Sequence, residues 1–176
     1  MDAPTSAALR AALGRFATGV TIVTTRAPDG APVGLTVNSF NSVSLQPPLV
    51  LWSLARASRA RVVFEAGSHW AVHVLRADQR ALAQRFARRD ADRWAGVAWT
   101  EGAGGVPLLP QALAWFECRA VQILPGGDHL ILLGEVLRCR SAEGEPLLYH
   151  RGAFAALAPG QSTCTASNAG CSASSQ

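Results

Sequence analysis

Apolar positions change period along the chain, and the changes mark its elements. Pro4-Thr5-Ser6 supplies a cap, after which Leu9, Ala12, Leu13 and Phe16 recur three or four residues apart. That spacing predicts one amphipathic helix, packed on the core and ending near Gly19. The period then shortens to two. Val20 to Thr25 is a β-branched strand, Pro28-Asp29-Gly30 is turn chemistry, and Val33 to Val37 returns as a second strand. This hairpin feeds a stretch that places Asn38, Ser39, Asn41, Ser42 and Ser44 within seven residues, read as a polar loop.

Beyond Pro47-Pro48, the run from Leu49 to Leu54 is short, apolar and bounded by breakers, as a buried strand would be. Ser58 stands where it would cap a helix carrying Val62, Val63 and Phe64 and ending at Gly67. Trp70 to Leu75 alternates as a strand. Asp78 is placed to cap a further helix, with Leu82 and Phe86 one turn apart and Arg80, Arg85, Arg88 and Arg89 largely on the other side. Asp90 to Gly96 reads as another short helical turn. Gly102 to Pro107 is a glycine-rich loop without the spacing or the following helix of a dinucleotide fingerprint, which excludes a Rossmann reading.

Two longer strands, Trp115 to Ile123 and Leu130 to Cys139, are joined by Pro125-Gly126-Gly127-Asp128. Leu147-Leu148-Tyr149 and Ala153-Phe154-Ala155 form a last pair around Gly152. About seven or eight strands with two or three inserted helices, and no regular strand-helix alternation, predict a mainly β protein, a small Greek-key barrel with helices outside it. One domain is expected over 1–158. Residues 159–176 carry Ser, Thr, Ala and Gly without charge or apolar pattern and are expected to be a disordered tail without function.

Composition narrows the chemistry. All sixteen basic residues are arginine, which removes a Schiff-base lysine, a phosphate-loop lysine and a lysine general base together. Six of those arginines lie between Arg76 and Arg93, a cluster that reads as a solvated helix face or an anion site. A hydrophobic content of 49% against 16% charged suggests that some apolar surface is covered by a second subunit. No apolar run approaches the ~20 residues of a membrane span, and no secretory signal is visible at the start, so no membrane association and a cytoplasmic location are expected. Cys118, Cys139, Cys164 and Cys171 lack metal or redox spacing, and no metal is expected.

The candidate chemistry lies in the polar stretch after Val37. Backbone amides, hydroxyls and side-chain amides there can bind a polar heterocycle edge and a sugar-phosphate chain without a charged side chain, although an ordinary turn has the same composition. Ser58 with Arg59 suits a phosphate, and a simple helix cap suits the same residues. His73 reads as a satisfied structural histidine.

The segments Phe16-Ala17-Thr18-Gly19-Val20, Gly34 to Phe40, Ser42-Val43-Ser44-Leu45, Pro47 to Val50, Phe86-Ala87, Asp92-Arg93-Trp94, Gly127-Asp128-His129 and Pro146 to Tyr149 occur in an order that resembles the flavin reductase family. Those are FMN-binding split-barrel proteins that act as reductase components of two-component flavin-dependent monooxygenases. The resemblance spans roughly Leu9 to Leu157. It implies a homodimer that passes a hydride from NADH or NADPH to FMN or FAD and supplies a partner monooxygenase. It further implies that Thr36, Val37, Asn38 and Ser39 line the flavin ring and ribityl chain, with Ser42, Val43 and Ser44 beside them. Ser53, Ser58 and Arg59 would hold the ribityl and phosphate groups, and Phe86 with Ala87 would close the pocket. His129 matches the position that meets the nicotinamide nucleotide, with Tyr149 and Phe154 weaker candidates on the same face. Alternatives left open are a split-barrel enzyme that keeps FMN and reduces a corrinoid or acts on a pyridoxamine phosphate, a flavin-binding barrel without turnover, and a basic barrel that stacks single-stranded nucleic acid on its tryptophans; nucleic acid is not the expected partner.

Overall fold

The computed structural model describes residues 3–89 and 92–157. Along the chain run α1 (Ser6–Leu13), β1 (Thr18–Gly19), β2 (Thr21–Arg26), β3 (Pro32–Val37), β4 (Asn41–Leu45), β5 (Pro48–Ala55), α2 (Arg61–Ala66), β6 (His69–Val74) and α3 (Arg80–Ala87). There follow β7 (Thr100–Glu101), β8 (Pro107–Leu108), β9 (Ala114–Gly126), β10 (His129–Ser141), β11 (Leu148–His150) and β12 (Ala153–Ala155). Seven strands form one antiparallel sheet in the order β3-β2-β6-β9-β10-β5-β4. β1, β11 and β12 form a small second sheet that joins the N-terminal segment to the last hairpin.

The large sheet curls on itself. In a flat sheet β3 and β5, five positions apart, would lie roughly 24 Å from each other. Yet Val33, Leu35 and Val37 of β3 pack on the same core as Val50, Trp52 and Leu54 of β5, with Val23, Phe64, Trp70, Val72, Leu130 and Leu132 between them. That shared interior is the split barrel expected from the strand pattern. Trp52 is its centre, edge-on to Phe64 at 4.9 Å and to Trp70 at 6.1 Å between ring centroids. The outward side of β2 and β6 is buried too. Ile22 joins Val20, Leu75, Ala83, Phe86, Leu109 and Leu147 in a second core beneath α3, which is why β2 and β6 are buried on both faces along most of their length.

Several local expectations change. α1 stops at Leu13, six residues short of Gly19, with Thr5 Oγ1 accepting from Ala8 N at 3.2 Å and Gly14 as its C-cap. It does not pack on the core: none of its residues is buried, and Leu9, Leu13 and Phe16 are 48%, 64% and 77% exposed. Apolar spacing gives the helix but does not say that its cover lies within the same chain. The polar loop is shorter than expected, because Asn41–Leu45 pairs with β5 as an edge strand and only Asn38-Ser39-Phe40 remain as the turn. α2 begins at Arg61 with Ala60 as N-cap, so Ser58 lies in the preceding turn, its hydroxyl accepting from Ala60 N at 3.3 Å. Asp78 pairs with Arg76 rather than capping α3; the Gln79 side chain accepts from Arg76 N at 2.9 Å instead. Residues 92–96 are not helix, with bends and turns at 93–96, and Asp90 with Ala91 lies outside the described residues, as do residues 158–176.

Two buried polar groups are tied down. Glu117, 1% exposed, accepts from Ala103 N at 2.5 Å and from Arg138 at 2.7 Å, which fastens the glycine loop to the long hairpin. His73 is fully buried, its Nδ1 3.0 Å from the Ile22 carbonyl, and burial lowers its pKa from 6.5 to about 4 against the opposing effect of that hydrogen bond. It is a buried histidine held through one ring nitrogen, but not the satisfied one expected, since its Nε2 has no hydrogen-bond partner among the described residues.

Gly134 sits at a bulge in β10 where an added Cβ would lie 2.3 Å from the Trp70 ring. Gly134→Ala should therefore destabilise the fold by about 1–3 kcal/mol through overpacking, measured by urea denaturation. Because the folded protein keeps His73 neutral, the unfolded chain takes up a proton first as pH falls. This stability contribution is complete above about pH 6.5 and declines by about 1.4 kcal/mol per unit between 6.5 and 4. In His73→Gln that segment of the stability–pH curve should flatten.

Candidate active site

β3 carries different loads on its two faces. Val33, Leu35 and Val37 point into the barrel, whereas Gly34 and Thr36 meet α3 and the segment behind it. Thr36 Oγ1 donates to the Ala83 carbonyl at 2.7 Å and so seats α3 on the strand. At Gly34 a Cβ would lie 2.7 Å from Phe86 and 3.1 Å from Trp94, so only glycine admits those rings. Arg93 fixes the same point by donating to the Gly34 carbonyl at 2.7 Å and to the Arg88 carbonyl at 2.9 Å. Burial lowers the Arg93 pKa, and it has neutral carbonyls rather than a carboxylate for partners.

At the far end of β3 the Ser39 hydroxyl donates to the Ser53 carbonyl at 3.1 Å and accepts from the Ser53 amide at 2.9 Å. The turn is thereby held against β5. β5 leads into Arg56, whose amide donates to the Asp128 carbonyl and whose Nε donates to the Gly127 carbonyl, both at 2.9 Å. The tip of the long hairpin is thus locked beside the Ser58-Arg59 turn. His129 follows it, with Nδ1 2.7 Å from Asp128 Oδ1; this hydrogen bond and the histidine's charge lower the Asp128 pKa.

These elements enclose a cavity of about 790 Å³. Thr36, Val37, Asn38, Ser39 and Ser53 line one part of it, Ser58 and Arg59 another. Phe86, Ala87 and His129 also contribute. Phe86 is fully buried, edge-on to Trp94 at 5.0 Å, and supports the wall from behind. Tyr149 and Phe154 stand elsewhere, in a second cavity that shares Thr36, Val37, Asn38 and Ala87 with the first. Ser42, Val43 and Ser44 line neither; they lie on the edge strand β4, where Ser42 and Val43 are exposed and Ser44 is half-buried. Strand formation carries them away from the turn with which the sequence grouped them.

Arg89, Asp92, Arg93 and Trp94 of the first cavity were not foreseen as lining residues, nor were Arg80, Gln84 and Arg88 of the second. Their i, i+4, i+8 spacing was legible as a helix face, but nothing in the sequence placed a hairpin opposite it. Among the described residues no group of His, Cys, Asp or Glu could hold a metal, and no helix is long and apolar enough to cross a membrane.

The first cavity suits a flavin on its own donor set. Asn38 and the Ser53 hydroxyl make no side-chain hydrogen bond to a described residue, so an amide and a hydroxyl are available at the turn, and the Arg59 guanidinium is equally uncommitted at the other side. Its volume falls within the range of small-molecule sites.

Residues 13–158 match the model of the flavin reductase like domain. The FMN reductase (NADH) SmoA of Agrobacterium fabrum is 49% identical over 149 residues, which is 85% of this chain and 84% of that protein. The reductase component of the flavin-dependent trigonelline monooxygenase of Acinetobacter baylyi is 44% identical over 83% of this chain, which spans only 47% of that longer protein. Among solved structures, the Streptomyces globisporus NADH:FAD oxidoreductase SgcE6 in complex with NAD and FAD fragments superposes with a TM-score of 0.83 at 39% identity, covering 88% of each chain. With its barrel, its ordered motifs and these relatives in agreement, the chain belongs to the flavin reductase family.

Proposed function

We propose that the protein is an NAD(P)H:flavin oxidoreductase that takes FMN or FAD into the first cavity and supplies reduced flavin to a partner monooxygenase. The observation that carries this reading is the cavity's division of labour: uncharged donors at Asn38 and Ser53, and a hydroxyl with a guanidinium at Ser58 and Arg59. The relatives' names support it, since one is an NADH-dependent FMN reductase and another the reductase component of a monooxygenase.

Bound flavin would supply the hydride acceptor, with a reduced nicotinamide as donor. The residues supply position and field. Asn38, the Ser53 hydroxyl and the amides of the Asn38-Ser39-Phe40 turn hold a polar ring edge with groups that have no proton to lose, so no acid or base is required of the protein there. Arg59 and Ser58 take the phosphate through charge-assisted and neutral hydrogen bonds. α2 has six residues and starts at Arg61, so this assignment rests on the two side chains rather than on a helix end. His129, oriented by Asp128, would meet the nicotinamide carboxamide.

Homodimer formation belongs to the same reading. Leu9, Leu13 and Phe16 leave an apolar surface open in the single chain, and Val121, Leu124 and Leu137 leave another on the long hairpin. A cytoplasmic location completes it and is checked by cell fractionation.

Steady-state oxidation of NADH and NADPH with FMN, FAD and riboflavin supplied in turn tests the activity; a protein that oxidises neither donor with any flavin refutes it. Arg59→Ala should weaken FMN binding about tenfold, the effect of one hydrogen bond to a charged group at a solvent-accessible position. Turnover at saturating FMN should stay within about twofold, and affinity for riboflavin, which has no phosphate, should not change. Equal FMN affinity in fluorescence titrations of the two proteins would remove Arg59 from the site. Light scattering should give a mass of two chains of 18.5 kDa.

A further inference from the structure

β5 runs out into a tight turn. Ser58 N donates to the Ala55 carbonyl at 2.9 Å and closes it, with Arg56 and Ala57 at its centre. Every residue from Ser53 to Ala60 lines the first cavity except Arg56. That side chain is exposed and committed to another element. Its Nε donates to the Gly127 carbonyl, and the Arg56 amide donates to the Asp128 carbonyl, both at 2.9 Å.

The two carbonyls belong to the tip of the β9–β10 hairpin. Pairing between β5 and β10 ends at Ala55 and His129, and beyond that pair Arg56 takes over the strand's part in holding the hairpin. Packing does not do it at the tip itself: nothing lies within 4 Å of the place that a Cβ on Gly127 would take. Asp128 in turn holds His129 through Nδ1 at 2.7 Å. A single turn therefore carries, two and three residues apart, the grip on the hairpin at Arg56 and the Ser58 and Arg59 side chains that suit a phosphate.

We propose that Arg56 is a positioning residue that couples the two ends of the first cavity. A flavin phosphate held by Ser58 and Arg59 fixes the Ala55–Ser58 turn, and Arg56 passes that order to the hairpin tip and so to His129. A second ligand that meets His129 then has less motion left to suppress, so the two ligands favour one another. A flavin without a phosphate has no hold on the turn and leaves the tip as loose as before. The consequence at His129 rests on the function proposed above, whereas the link between turn and hairpin requires only that FMN binds.

Amide hydrogen exchange, read by mass spectrometry over residues 124–131 with saturating FMN or saturating riboflavin, tests the link directly. In the wild type FMN should slow exchange there at least threefold relative to riboflavin. In Arg56→Ala, a change at an exposed position, the two flavins should give the same exchange while β2 and β6 stay as protected as in the wild type. The kinetics should divide in the same way. The wild-type KM for NADH should be about fivefold lower with FMN than with riboflavin, at the small end of typical coupling between sites. In Arg56→Ala that ratio should fall below twofold, with kcat on FMN nearly unchanged. No protection of the tip by FMN in the wild type, protection that persists in Arg56→Ala, or a KM ratio that is the same in both proteins overturns the proposal. Protection that depends on Arg56 in a protein that oxidises no NADH leaves the link standing and refutes the oxidoreductase reading. Oxidation of NADH without any such protection does the reverse.

Discussion

One hydroxyl closes this barrel where its ligand is proposed to sit. Ser39 gives its proton to the Ser53 carbonyl and takes one from the Ser53 amide, substituting for a strand partner in both directions. Each such bond contributes only about 1 kcal/mol net, but their geometry fixes the turn leaving β3 against β5. Everything proposed for the first cavity depends on that distance being held. If the turn swung away from β5, Asn38 and the Ser53 hydroxyl would no longer face the same space, and the Arg59 side would lose its counterpart.

The fold was legible because its signals are local and redundant. β-branched runs, breaker pairs and the Gly-Asp hairpin tip each state a strand or turn within a few residues, and their lack of regular alternation with helices excludes a doubly wound sheet. The failures share a cause of the opposite kind. Leu9, Leu13 and Phe16 have helical spacing, but whether such a face is covered by the same chain or by another is a long-range fact. Asn41–Leu45 is polar enough for a loop, and becomes a strand because β5 presents a free edge to it. Ser58 and Asp78 have the composition of helix caps, yet the helices begin two or three residues later.

The candidate site was legible in part for the same reasons. Residues of the first cavity sit on contiguous motifs, so Thr36–Ser39, Ser58-Arg59 and His129 could be named together through the family pattern. Ser42, Val43 and Ser44 belong to the same stretch and do not line it, because pleating and edge pairing divide neighbours in sequence between different surfaces. The cavity that Arg80, Gln84 and Arg88 line went unrecognised because its opposite wall comes from a hairpin more than sixty residues further along the chain. A helix face announces its periodicity; it does not announce what stands across from it.

Three of the five tryptophans give the protein's intrinsic fluorescence two kinds of reporter. Trp52 and Trp70 are sealed in the barrel interior and respond to whether the fold is intact. Trp94 is in the wall of the first cavity, stacked edge-on between Phe86 and Trp99, where an absorbing ligand would quench it by energy transfer at short range. One emission spectrum thus carries a reporter of occupancy beside a reporter of integrity, without any label being attached.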